Sequence, residues 1–463
     1  MNDLRPRPPQ QVPPSAAVEI GVARRDITPP VGIYSRNWGA AEHDVAEGIH
    51  RPLLATVMVL RSRPGTPPLV LVSLDAGWWQ LAEDEWAIRK AVLESLGVDK
   101  SRVMVCCSHT HAASSICSAD ADKPGGEAIA PYLASVRDAV VSAARQALSS
   151  ATPGTLTWAT GRCDLAANRD LPDPNGQRIV CGYNPAVRAD DTLLVGRATD
   201  ADGRLIGTLV NYACHATTLA WANRRISPDY VGAMVELVER DTGGAPCLFL
   251  QGASGELAPR EQYTGDTSIA DANGRRLGYA VLATLESMLP PRTALVYEGV
   301  VESGAPLAVW ARRPFDPPTA LAAECIDVEL PLKKLPTQAE IRRQLEACTD
   351  RTMAERLRRK LRVRQLVGDG PTCRMPAWVW RVGRSFFVGQ PNEAYSAFQI
   401  ALRRRFPDEA VVVMNVVNGT CGYLSPPEMY DQDVYQVWQS PFDRDALPRL
   451  IAACERQMAR MIA

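Results

Sequence analysis

Short apolar, β-branched runs alternate along the chain with longer segments whose apolar residues recur at helical spacing. Five runs are almost wholly apolar and are typical of strands buried on both faces: residues 68–77, 102–111, 207–217, 246–255 and 410–420. Amphipathic segments at residues 131–148, 229–243 and 268–289 predict helices that cover such strands. The pattern predicts an α/β fold, with a sheet core and covering helices.

Two segments depart from this alternation. Residues 1–17 are proline-rich and polar, without the apolar stretch of a secretory signal, and predict a disordered N-terminal tail. Residues 336–367 interleave arginine and glutamate at spacings of three and four, which predicts a solvated helical hairpin inserted into a catalytic domain of residues 18–463. A binding role for the arginine-rich end of the insertion, residues 356–364, is the alternative.

The composition narrows the class of partner. The 51 basic and 52 acidic side chains leave a formal charge of −1, which excludes nucleic acid as the main partner. No uncharged apolar run approaches the roughly 18 residues of a membrane span, so the chain is predicted to be soluble and cytoplasmic, with its oligomeric state open. The twelve cysteines are scattered and form no CxxC pair, as expected of free thiols. Core packing rather than a pocket is predicted for Trp78, Trp79, Trp378 and Trp380.

Three of the five histidines fall at the ends of predicted strands: His109, His111 and His215. Residues two apart in a strand point to the same side, so His109 and His111 would share a face if their strand continued through them. In open α/β sheets ligands bind at the carboxyl ends of strands. Imidazole is the commonest zinc ligand, and catalytic zinc usually takes three protein ligands. The sequence therefore predicts a zinc site, with a hydrogen-bonded structural role as the alternative for any single histidine.

A carboxylate is expected as the third ligand, and Glu393 is the candidate. It follows the strand predicted at residues 386–388 through a Gly-Gln-Pro-Asn turn, and the pattern places it in the first turn of a helix behind the N-cap Asn392. A favourable charge at a helix terminus, worth about 0.3–1 kcal/mol, explains the same residue without any metal. Both interpretations remain open at this point.

Eight motifs, taken in order, resemble the neutral/alkaline non-lysosomal ceramidase family. The resemblance begins near residue 18 and continues to the end of the chain, and it implies a ceramidase-like catalytic domain built on a mixed sheet. The motifs are VARRDITPPVG (22–32), GIHRPLLATVMVL (48–60), SLDAG (73–77), SHTH (108–111), NYACHATTL (211–219), ISPDYVGAM (226–234), QGASGELAPR (251–260) and CGYLSPPEMYDQDVY (421–435).

The resemblance implies a zinc-dependent amidase. Four residues match the metal ligands of the family: His109, His215, Glu393 and Tyr423. Three more match residues that contact the carbonyl and the leaving group of the scissile amide: His111, Arg169 and Tyr435. The implied function is hydrolysis of a linear amide in a small N-acyl substrate by attack of a zinc-activated water.

Three departures from the family pattern point away from ceramide. Ala112, Ala113 and Ser114 follow the SHTH motif where the family has Ser-Gly-Pro, and Ala258 replaces the serine of Gly-Asp-Val-Ser-Pro, which excludes that serine as a nucleophile. No C-terminal β-sandwich domain is expected, because the chain ends soon after Tyr435. We therefore expect a substrate other than ceramide. The alternatives are a zinc-dependent esterase or lactonase, and a non-catalytic ligand-binding relative.

Overall fold

An eight-stranded mixed sheet is the largest layer of the computed structural model, which describes residues 9–462 except for the side chains at 351 and 352. Numbered in chain order, its strands lie side by side in the sequence Cys247–Gln251 (β14), Leu205–Tyr212 (β12), Thr192–Asp200 (β11), Thr152–Arg162 (β7), Ser15–Asp26 (β2), Leu54–Arg61 (β4), Leu69–Leu74 (β5) and Val103–Cys107 (β6). The outermost pairs, β14–β12 and β5–β6, are parallel, and the remaining pairs are antiparallel.

A four-stranded sheet packs against the first. Its strands, in spatial order, are Leu321–Pro331 (β18), Thr372–Val382 (β19), Ser385–Gly389 (β20) and Ala410–Met414 (β22). Trp158 of the large sheet meets Phe387 of the small one with ring centroids 5.7 Å apart, and Trp378 and Trp380 fill the same layer. Core packing is therefore confirmed for these two predicted tryptophans, and Trp79 is also buried.

The remaining strands form small sheets. One of three strands contains Gln10–Gln11 (β1), Thr293–Glu302 (β16) and Pro306–Pro314 (β17). Four further pairs contain two strands each: Gly48–Ile49 (β3) with Arg225–Ile226 (β13), Ala166–Asn168 (β8) with Leu257–Pro259 (β15), Asp170–Pro172 (β9) with Ile179–Cys181 (β10), and Glu393–Ala394 (β21) with Tyr423–Leu424 (β23).

Helices cover the outer faces of both sheets, which confirms the predicted α/β class. Within the described residues the α-helices are Ala82–Leu96 (α1), Ile129–Ser149 (α2), Tyr230–Asp241 (α3), Thr267–Glu286 (α4), Gln338–Glu346 (α5), Arg351–Val367 (α6), Ala397–Arg405 (α7), Tyr435–Gln439 (α8) and Ala446–Ile462 (α9). The first two pack on β2, β4, β5 and β6, and α3 and α4 cover β11, β12 and β14. Helices α7 and α9 cover the second sheet.

The large sheet curls so that its two edge regions approach each other. The hydroxyl of Ser73 in β5 donates to the carbonyl of Phe249 in β14 at 2.8 Å. The segment after β22 lies between these edges: Asn418 donates its N–H to the Val105 carbonyl at 3.0 Å and accepts from the Val105 N–H at 2.7 Å. The carboxyl ends of β6 and β12, on opposite sides of the sheet order, are thereby brought together.

The structure corrects the prediction of a disordered N-terminal tail. Strand β2 begins at Ser15, pairs with β7 from that residue, and buries Ser15 and Ala16. Because the proline run ends at Pro14, Ser15 is the first of several residues that can supply N–H groups to the ladder. The predicted disorder up to Ala17 is thus wrong for its last residues, while residues 1–8 lie outside the described residues. The predicted insertion contains α5 and α6, although Arg364 within it is buried.

Candidate metal and catalytic site

His109 lies two residues beyond the end of β6, with a backbone φ of 62° in the left-handed region. The strand does not continue through the two histidines, so the shared strand face predicted for His109 and His111 does not exist. Such a backbone costs of order 1 kcal/mol or more in a non-glycine residue, and local hydrogen bonds must hold it. The His109 N–H donates to the Ala76 carbonyl at 3.0 Å, and ring Nδ1 lies 3.1 Å from the Gly77 carbonyl. The imidazole is therefore fixed with Nε2 toward the opposite wall.

His215 follows β12 and is fully buried. Its N–H donates to the Leu257 carbonyl at 2.9 Å, and its Nδ1 lies 2.7 Å from the Ser254 carbonyl. Thr110 and Ala216 form a parallel bridge that joins this loop to the SHTH loop. Burial, assisted by a nearby guanidinium charge, lowers the pKa of His215 to about 4, so its imidazole is neutral at pH 7.

Glu393 does not lie in a helix, contrary to the sequence prediction. It belongs to β21, where its N–H donates to the Gly422 carbonyl at 2.9 Å and the Tyr395 N–H donates to Leu424 at 3.0 Å. These N–H groups, which a first helical turn would leave free, are used in pairing with β23. The helix begins only at Ala397. The explanation of Glu393 as a helix-terminus charge is therefore wrong.

The carboxylate of Glu393 instead meets both histidines. Its Oε2 lies 3.3 Å from Nε2 of His109 and 2.9 Å from Nε2 of His215. Both Nδ1 atoms face carbonyl oxygens, which only accept, so in the neutral form of either imidazole Nδ1 carries the proton and Nε2 presents a lone pair to the carboxylate. Lone pairs at such distances repel unless a proton or a cation lies between them. Four ligands at 2.0–2.1 Å in a tetrahedral zinc site would be roughly 3.3 Å apart, close to these separations. The residues present therefore fit a metal ion.

Tyr423 and Arg169 adjoin this cluster. The phenol ring of Tyr423 stacks beside the His215 imidazole, with centroids 6.5 Å apart. Burial and the Glu393 carboxylate raise the pKa of the Tyr423 hydroxyl well above its usual value. Nη2 of Arg169 lies 3.2 Å from the Tyr423 hydroxyl and 3.3 Å from His215 Nε2, and it donates to the Gly255 carbonyl at 2.7 Å. The guanidinium is thus buried beside the candidate metal ligands.

His111 is the third imidazole of the cluster. The ligand nitrogens of His109, His111 and His215 all lie within 4.8 Å of one another. Nε2 of His111 is buried and has no hydrogen-bond partner among the described residues. Burial, together with the nearby imidazoles of His109 and His215, lowers the pKa of His111 well below its usual value, so its imidazole is neutral. A buried, neutral and unpartnered nitrogen is suited to accept a proton or a hydrogen bond from a ligand.

Tyr435 completes the predicted set at the first residue of α8. Its ring lies 5.8 Å from that of Tyr423. Burial and the Glu393 carboxylate raise the pKa of the Tyr435 hydroxyl to about 12, so it is a hydrogen-bond donor at neutral pH. The structure thus brings all seven predicted residues into one region. Their individual roles remain predictions.

Sequence reasoning missed the aromatic rings around His111. The ring of Trp78 lies 4.7 Å from His111, and that of Trp38 lies 5.1 Å away. Trp221 and Tyr263 both pack against Trp38, at 5.9 and 5.7 Å. Trp78 is partly buried: it packs against the core of the large sheet, as predicted, and its ring also faces His111. Its position directly after the SLDAG strand was an available signal, whereas Trp38 lies in a segment without any periodic pattern.

The Gly255–Glu256 peptide joins the two sides of the site. The Arg169 N–H donates to the Glu256 carbonyl at 2.8 Å, beside the contact of its guanidinium with Gly255. On the other side, the Gly255 N–H donates to the Ala394 carbonyl, and the Glu256 carboxylate accepts from the Ser396 N–H, both at 2.9 Å. The arginine and the Glu393 strand are therefore held by the same two residues.

This fold and this cluster define a ceramidase-like α/β protein. A family model described as neutral/alkaline non-lysosomal ceramidase, N-terminal, matches residues 18–260, more than half of the chain. The chain belongs to that family. Neutral ceramidase of Pseudomonas aeruginosa is 27% identical over 258 residues, covering 52% of this chain and 37% of the relative. Neutral ceramidase of Drosophila melanogaster is 26% identical over 251 residues, covering 49% and 33%. The match thus spans about a third of either relative's length.

Solved structures agree on the fold. The crystal structure of neutral ceramidase from Pseudomonas aeruginosa matches with a TM-score of 0.67 over 97% of this chain and 74% of that one, at 18% identity. A ceramidase complexed with C2 matches with a TM-score of 0.66 over 97% and 75%, at 17% identity. Within residues 9–462, no helix combines the length and the apolar character that crossing a membrane requires.

Proposed function

We propose that the chain is a zinc-dependent hydrolase that cleaves a linear N-acyl amide, with a substrate other than ceramide. One observation carries the proposal. A single carboxylate oxygen of Glu393 faces the lone-pair nitrogens of His109 and His215 in a buried site, an arrangement that a cation would stabilise. The relatives named neutral ceramidase support a hydrolase of the same family.

The candidate zinc ligands are His109, His215, Glu393 and Tyr423. Two imidazoles with a carboxylate form a donor set suited to zinc, and backbone carbonyls fix both rings through Nδ1, as is usual for metal-bound histidine. When bound, zinc supplies Lewis-acid polarisation of a carbonyl and lowers the pKa of a coordinated water to about 7.

The protein's own groups supply the remaining steps. Arg169 is buried against His215 and Tyr423, where its positive charge would stabilise the oxyanion that develops on the substrate carbonyl. The neutral His111 would accept a proton at Nε2 from the attacking water and deliver it to the departing amine. Tyr435 would donate a hydrogen bond to the same region of the substrate.

The surroundings of His111 favour a substrate with an apolar group of limited size. The narrow cleft beside His111 is lined by Ala112 and by polar side chains such as Asn223 and Arg225, and the rings of Trp38 and Trp78 contact the imidazole. Such rings stack on aliphatic or aromatic groups. This lining, together with Ala112 and Ala113 after the SHTH motif, motivates the proposal that ceramide is not the substrate.

Turnover of matched probes tests the proposal. Purified protein is assayed on a panel of N-acyl amides and on the corresponding esters, before and after chelation and after zinc is returned. We expect amide hydrolysis that disappears with the metal and returns with it. Metal-dependent turnover of the esters with none of the corresponding amides would favour the esterase or lactonase. Zinc binding without turnover of any probe would favour a ligand-binding protein.

A further inference from the structure

Helix α6 carries a strong positive charge that the proposed chemistry leaves unused. Residues 351–367 contain seven arginine and lysine side chains and one glutamate, whereas the whole chain has a formal charge of −1. Exposed charge on a helix ordinarily keeps a protein soluble and needs no further role. The position of α6 relative to the candidate metal site makes this helix different.

Three arginines of α6 recur at a spacing of three residues, which places them as neighbours along one side of the helix: Arg356, Arg359 and Arg362. The packed side is a different one, since Leu357 and Arg364 are buried. Arg356 and Arg359 are therefore exposed, whereas Arg362 at the end of the row is only 18% exposed.

The last arginine of the row contacts one wall of the site. Nη1 of Arg362 donates to the Gln80 side chain at 2.6 Å, and Nη2 donates to Asp120 at 3.2 Å. Gln80 follows Trp78 by two residues, and the Trp78 ring lies against His111. Arg362 thus attaches α6 to the segments that flank the histidine pair.

The first arginine of the row contacts the other wall. The guanidinium of Arg356 lies 6.0 Å from the ring centroid of Trp438, which is 5.0 Å from the ring of Tyr435. Tyr435 in turn packs against Tyr423. Helix α6 therefore extends from the histidine side of the site to its tyrosine side.

Arg359 lies between these two contacts. It is exposed and, within the described part of the chain, forms no hydrogen bond or ion pair. A guanidinium without a hydrogen-bonded or ion-paired partner beside a small-molecule site is a candidate for binding an anion.

We propose that Arg359, flanked by Arg356 and Arg362, binds a carboxylate of the substrate at the edge of the site along which α6 lies. The substrate class is then an N-acyl amide that also carries a free carboxylate, as N-acyl amino acids do. The planar guanidinium matches a carboxylate through two parallel hydrogen bonds. This inference rests on the proposed hydrolase, because it names the substrate of the same site.

Two ketones that cannot be hydrolysed test the inference on the full-length protein as purified. One is the analogue of N-hexanoylglycine in which a methylene replaces the amide N–H, and the other lacks its carboxylate. By titration calorimetry we expect the carboxylate to improve binding by about tenfold, within the range for a charge-assisted pair. Arg359→Gln should remove most of this preference. Arg358→Gln, which removes an exposed arginine of the same helix whose charge acts on Asp122, should keep it.

Equal affinity for the two ketones, no measurable binding of either, or equal effects of the two substitutions would overturn the inference. Equal weakening of binding to phosphatidylserine vesicles by both substitutions, with no carboxylate preference, would assign the charge to a lipid surface instead. Metal-dependent turnover tests the proposed hydrolase separately. An Arg359-dependent preference in a protein without metal-dependent turnover supports the anion site and rejects the hydrolase. Metal-dependent turnover without an Arg359-dependent preference supports the hydrolase and rejects the anion site.

Discussion

Replacing Glu256 by glutamine is expected to remove a pH-dependent penalty from the stability of the fold. The Glu256 side chain is buried, and its carboxylate accepts from the N–H and hydroxyl of Ser396. Burial raises the pKa of this carboxyl group from 4.5 to about 7, and the hydrogen bonds from Ser396 only partly oppose the rise. Glutamine has the same shape, keeps an acceptor for the Ser396 N–H, and has no charge at any pH.

The direction in which stability changes with pH follows from the proton that Glu256 binds. Between about pH 4.5 and 7 the folded chain holds a proton on Glu256 that the unfolded chain has released, so the free energy of unfolding falls as the pH rises. The stability from this group is fully present below about pH 4.5 and is lost through about pH 7. The interval between these two pH values corresponds to a change of roughly 3 kcal/mol in the free energy of unfolding, at 1.36 kcal/mol for each pH unit. Most of that change, about 2–3 kcal/mol, falls between about pH 5 and pH 8.

Urea unfolding of the wild type and of Glu256→Gln at about pH 5 and about pH 8 measures the effect. The free energy of unfolding of the variant, relative to the wild type, should be higher at the upper pH by about 2–3 kcal/mol. Asp75 and Asp229, whose pKa values burial raises to about 6, titrate in both proteins and cancel in the comparison. A difference that is the same at both pH values would refute the reasoning.

Three substitutions at the site give further predictions, each measured against His50→Gln, a histidine outside the cluster. His111→Gln should retain zinc, measured by metal analysis, while turnover falls by about 10²–10⁴-fold because the proton carrier is lost; loss of zinc would instead make His111 a ligand. Arg169→Lys keeps the charge but not the planar fork, and kcat should fall by about 10²–10³-fold with a smaller change in KM; an unchanged kcat would contradict its role. Tyr435→Phe should lower kcat/KM by about tenfold through one lost hydrogen bond, and no loss would remove it from the site.

The elements of the core could be predicted from local pattern. The runs that contain β5, β6, β12, β14 and β22 are apolar throughout because both faces of each strand are buried, and their boundaries err mainly at the carboxyl ends. The strand predicted through residue 111 stops at Cys107. The left-handed backbone of His109 is set by hydrogen bonds to Ala76 and Gly77, which no local pattern contains.

Long-range pairing accounts for what sequence could not predict. Glu393 has the local signature of a helix start, yet strand pairing with residues near Tyr423 uses its N–H. The approach of His109 to His215 depends on the curl of the sheet and on Asn418 between its edges, contacts between residues hundreds of positions apart. Trp38, which lies beside His111, belongs to a segment without a periodic pattern, so no local pattern predicted its position. The four candidate zinc ligands were assigned as a set from the family resemblance, not from their spacing along the sequence.

Metal analysis of the purified protein tests the central claim most directly. The wild type and the control His50→Gln, prepared without chelators, are predicted to hold about one zinc ion per chain. Chains with Glu393→Gln or His215→Gln are predicted to hold far less zinc at equal folded content, because each substitution removes one of the buried ligands. A wild type without stoichiometric zinc, or a Glu393→Gln chain that binds zinc as the wild type does, would contradict the account.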